Sequence, residues 1–147
     1  MKKHYLFFLL LSVSFTLLAE KPITIVRDRV GGNSTNKFNL IQRDVIDSDT
    51  KTTVHIQCFD PGENSCPTAK PILNPPSIVN IEPALINIVE EIFIESDEDF
   101  NNGNSEGSGN RTVIVTSLDG SQKTYLITYF WEVLQGVEKC TINITLF

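Results

Sequence analysis

Hydrophobic positions along this chain follow two periods. Beyond Pro83, the residues Leu85, Ile88, Val89, Ile92 and Phe93 fall on one stripe with i, i+3, i+4, i+7 spacing, while Asn87, Glu90 and Glu91 fall opposite. That pattern predicts an amphipathic helix from about Pro83 to Ser96. Proline suits its first position, where the missing N–H has no intrahelical partner to lose. The acids that follow, Glu95, Asp97, Glu98 and Asp99, lie against the negative pole of the helix dipole and predict fraying at that end.

Elsewhere the period is two. "TTVHIQCF", Thr52 to Phe59, is rich in β-branched and aromatic residues and runs into Asp60-Pro61-Gly62, so it reads as a strand. "RTVIVTSLDGSQKTYLITYFWEV" places two such runs around Asp119-Gly120, predicting a hairpin in which Leu118 pairs with Ser121. Gln135-Gly136 marks a second turn. In the closing "CTINITLF", Cys140, Ile142, Ile144 and Leu146 alternate with polar residues, the signature of a half-buried strand that points Cys140 inward. "KPITIVRDRV", Lys21 to Val30, gives a weaker strand signal.

These elements predict an α+β fold, with one amphipathic helix packed on a mainly antiparallel sheet that ends in a three-stranded meander. Two segments separate them. Residues 66–82 carry Pro67, Pro71, Pro75 and Pro76 and read as an extended Pro-rich connector. Residues 97–110, with Gly103, Gly107 and Gly109 among acids and asparagines, read as a flexible acidic loop.

The chain opens with Lys2 and Lys3, an apolar run from Tyr5 to Leu11, and a softer stretch to Ala19. Residues 1–19 therefore read as a signal peptide, leaving 20–147 as a single exported domain, periplasmic or extracellular, with no membrane span after cleavage. Without Lys2 and Lys3 the twelve Lys+Arg fall to ten, against eighteen Asp+Glu, for a formal charge of −8. Such a surface repels nucleic acid. Export also places the three cysteines in an oxidising compartment. Cys58 and Cys66 bracket the Asp60-Pro61-Gly62 turn and are expected to form a disulfide at a hairpin tip, which leaves Cys140 as a buried free thiol.

Candidate chemistry is sparse. Asp97, Asp99 and Asn101 match the first three ligand positions of a calcium loop, but Asn102 stands where glycine is needed and Ser108 where a bidentate Glu is needed, so no metal is expected. A Cys3His zinc site from His55, Cys58, Cys66 and Cys140 lacks the close ligand pairs that such sites show. His55 is the one histidine after residue 19, and the Gly-x-Ser-x-Gly match from Gly103 to Gly107 falls in the acidic loop between helix and hairpin, not at the strand-to-helix turn that presents a nucleophile. No cofactor is implied. Tyr125, Tyr129 and Trp131 share one face of a strand and form either core or a recognition patch for a protein or glycan partner. The expectation is a binding or structural module of the cell envelope or exterior. The alternatives are a hydrolase using two carboxylates, or an inhibitor or effector presenting the Cys58–Cys66 loop.

Overall fold

The computed structural model describes residues 20–31, 41–60 and 81–147. They form one helix, α1 (Pro83–Asn101), and six strands: β1 (Ile23–Gly31), β2 (Ile41–Asp47), β3 (Thr52–Asp60), β4 (Glu106–Thr116), β5 (Gln122–Leu134) and β6 (Val137–Leu146). All six strands join one sheet in the order β2-β3-β1-β6-β5-β4. Every pairing is antiparallel except β1 with β3, which run parallel. The fold is thus α+β, a helix on a mixed and mostly antiparallel sheet. β4, β5 and β6 are consecutive antiparallel neighbours, and the sheet continues past them because β6 also pairs with β1.

Alternation decides which side of each strand meets the helix. Ile25 on β1, Val54 and Ile56 on β3, Ile127 and Trp131 on β5, and Cys140 and Ile142 on β6 are buried against Leu85, Val89, Ile92 and Phe93 of α1. The opposite face carries Thr24, Thr53, Thr128, Thr141 and Asn143, with no described element packed over it. A helix can hide only one face of a sheet.

The acidic stretch departs from the sequence expectation. Residues 97–110 are the last turns of α1, a four-residue connection and the start of β4. Asp97 holds its end of the helix through ion pairs to Arg27 and Arg29, so the carboxylate that ought to promote fraying is tied to the sheet instead. Gly103 follows the Asn102 cap at φ 90°, donating its N–H to the Phe100 carbonyl, and turns the chain toward β4. Gly107 and Gly109 lie within β4 because aromatic rings of β5 cross them. A Cβ on Gly107 would stand 2.3 Å from Nε1 of Trp131, and one on Gly109 2.5 Å from the Tyr129 hydroxyl.

The first hairpin is longer than Asp119-Gly120 alone implies. Pairing stops at Thr116 opposite Gln122, and Ser117 donates its N–H to the Ser121 carbonyl, so Leu118 lies in the loop instead of facing Ser121. The Asp119 carboxylate accepts from both the N–H and the hydroxyl of Ser121, a local bond that stabilises the longer loop. In the second hairpin Leu134 pairs with Val137 around Gln135 and Gly136, both at positive φ. β2 has no counterpart in the sequence reading. The Cys58–Cys66 pairing and most of the 66–82 connector fall outside the described residues, as do residues 1–19, for which the sequence predicts a signal peptide. Among the described residues, no helix is long and apolar enough to cross a membrane.

Candidate functional site

Polar side chains gather at several places among the described residues, and three of them are candidates for a site. The first lies between the C-terminal half of α1 and the sheet. Arg27 and Arg29 are on the helix-facing side of β1, in line with Ile25, and Glu138 is on the same side of β6 as Cys140. Arg27 Nη2 bonds Asp97 at 2.6 Å, Glu138 at 3.1 Å and the Ser96 hydroxyl at 3.2 Å, and its guanidinium lies 4.4 Å from the centre of the Phe93 ring. Arg29 reaches the same two carboxylates at 3.0 and 3.5 Å.

Two cations thus face two carboxylates, in neutral balance. Burial pushes the Glu138 carboxyl above its ordinary range despite the attraction of Arg27. Burial likewise raises the Cys140 thiol to about 11, which leaves it protonated and a poor nucleophile. The hydroxyl of Ser96 donates to the Phe93 carbonyl. Buried Arg27 and Glu138 are each under 4 % exposed, so no substrate reaches them. The network positions α1, and a large penalty attends its partial removal, roughly 3–5 kcal/mol when one member of a buried pair is lost.

The second place is a cavity of about 90 Å³ at the N-terminal end of α1, lined by Glu20, Ile23, Ile81, Glu82, Leu85, Lys123 and Tyr125. It holds two carboxylates, as a hydrolase needs. Glu20, however, pairs with Lys123 and accepts from the Tyr125 hydroxyl at 2.9 Å, and the Lys123 bond holds its carboxyl below the usual range. A general acid has to keep its proton near neutral pH, and Lys123 acts in the other direction. Pockets that take a sugar or a drug-sized molecule run to about 300 Å³ or more.

The third is the outer face of the sheet. There His55 Nε2 lies 2.6 Å from the Asp28 carboxylate, across the parallel β1–β3 pair. The sheet separates His55 from Cys140, which faces the helix, so no thiol–imidazole pair forms between them. Phe130 and Ile114 stand exposed on this face among threonines and asparagines.

The aromatic trio lies elsewhere. Tyr125 and Trp131 are buried in the core and Tyr129 is partly buried beside Glu95, because the face they share is the one that α1 covers. Phe130, which alternation turns to the other side of the sheet, is the exposed aromatic of β5. Asp97, Asp99 and Asn101 belong to a helix, where three residues at this spacing cannot wrap around one ion. Among the described residues no group of three or more His, Cys, Asp or Glu side chains is placed to hold a metal ion.

No family model, curated protein or solved structure matches this chain. Function therefore has to be argued from these surfaces. The buried ionic network was legible in part. The alternation that turns Cys140 inward turns Glu138 inward too, and the one that buries Ile25 buries Arg27 and points Arg29 the same way.

Proposed function

We propose that this chain is an exported binding module of the cell envelope or exterior, and that it contacts its partner through the face of the sheet that no described element covers. The observation that carries this reading is the asymmetry of that sheet. One face is filled by α1, and the other presents Thr24, Thr53, Thr128 and Thr141 around Phe130, with Ile114 toward the edge. Hydroxyl groups at regular strand spacing beside an exposed aromatic ring suit a flat, hydroxyl-rich partner such as a polysaccharide, since sugars offer both hydrogen-bonding groups and apolar ring faces. The acidic charge of the chain opposes binding to nucleic acid.

The test is retention on insoluble polysaccharides and on isolated cell envelopes, comparing the native protein with Phe130→Ser and with Thr128→Lys. Phe130 and Thr128 lie outside the core, so both variants should keep the native circular dichroism. Loss of retention in both supports the reading. Unchanged retention in both, or none in the native protein, overturns it.

A further inference from the structure

We infer that the free edge of β4 accepts an added strand, and that the strand it fits is an extended, basic segment of a partner protein. This concerns a different surface from the open face and does not depend on it. β4 is eleven residues long, ends the sheet and has β5 as its one described neighbour. Its exposure alternates without interruption from Glu106 to Thr116, which is the mark of a regular strand without a bulge. Every second residue therefore directs its N–H and C=O away from the sheet. Natural edges are usually blunted by proline, lysine or a bulge, and β4 has none of the three.

Charge selects the occupant. On the helix side, Arg111 is paired with Glu95 and lies 3.4 Å from Glu91, so one guanidinium stands against two carboxylates whose side chains are about half exposed. On the outer side, Glu106 lies directly opposite Glu132, a like-charge cross-strand pair at the very edge. Both flanks of the groove thus carry excess negative charge. An added strand alternates its side chains between the same two flanks, so a lysine or arginine beside Arg111 meets Glu91 and Glu95 on the helix side, and one five positions along, on the other face, meets Glu106. A second copy of this chain does not fit, because it would bring the same carboxylates to the same seam.

The experiment adds to the purified protein a nine-residue capped peptide of threonine and valine with lysines at positions 2 and 7, which fall on opposite faces of a strand. Amide hydrogen exchange and affinity are measured at low and at raised salt. The expected result is new protection confined to outward-facing amides of β4, with binding that weakens as salt rises. Glu91→Gln and Glu95→Gln should each lower affinity about two- to fivefold, the scale of an exposed ion pair. Methylating alternate peptide nitrogens on the side that faces β4 should abolish binding, whereas Phe130→Ser should leave it unchanged. Four outcomes overturn the proposal: equal binding of the peptide with glutamate in place of lysine, binding that survives the methylation, protection away from β4, or pairing of β4 with its own copy in place of the peptide.

Discussion

Gly107 shows how much one missing methyl group decides. Its absence lets the indole of Trp131 cross β4, and Trp131 is among the largest fully buried side chains of the molecule. Gly107→Ala forces that ring or the strand to move, at a cost of about 1–3 kcal/mol for overpacking. Gly109→Ala should cost less, because the Tyr129 ring it meets is only partly buried and can swing outward. Urea unfolding midpoints of the two variants should therefore fall in that order. Glu138 supplies a prediction with a sign. Its carboxyl is pushed above the ordinary 4.5 by burial, so the folded protein binds that proton more readily than the unfolded chain does. Its contribution is complete below 4.5 and is lost as pH rises through the raised folded value. The stability of Glu138→Gln relative to the native protein should rise with pH in that window and then level off. Each pH unit of the rise is limited to about 1.36 kcal/mol for a single proton. Lys123 makes Glu20 act in the opposite sense, losing stability as pH falls, and that effect cancels in the comparison because both proteins share it.

At the scale of the element, hydrophobic period proved a better guide than local composition. α1, β5 and β6 follow from Leu85, Val89 and Ile92 at helical spacing and from the alternation ending at Leu146, because each has one apolar side to bury. β2 was not legible. Its run "IQRDVID" offers one inward-facing valine, Val45, and gains its strand form by pairing with β3. The acidic stretch from Glu95 to Asn110 misleads for a related reason: glycines and acids read as a loop until Trp131, Tyr129, Arg27 and Arg29 are seen to require them in helix and strand. Tyr125, Tyr129 and Trp131 stayed open between core and recognition patch for the same kind of reason, since alternation separates Phe130 from Trp131 without saying which side is wet, and the burial of Tyr125 and Trp131 fits the core alternative. The β5–β6 turn gives a further test. Gln135 holds φ 52°, a conformation that asparagine tolerates better than glutamine. Gln135→Asn should raise stability by roughly 0.5 kcal/mol, read as a higher thermal midpoint with an unchanged fold.

At the scale of the molecule, the strand order places β1 between β3 and β6, so the first strand is completed by the last. Thr24 bonds Asn143 across 119 positions of sequence, and Ile23 pairs with Ile144. No local hairpin substitutes for that pairing. Removing residues 137–147 strips β1 and β5 of a shared neighbour and should leave a chain with neither cooperative thermal unfolding nor near-ultraviolet dichroism from Trp131. Contacts this distant in sequence form slowly, since chain closure has to precede their reward. The same arrangement holds a growing chain open during synthesis. Until the last strand is made, the sheet has a gap at its centre, with β2, β3 and β1 on one side of it and β5 and β4 on the other.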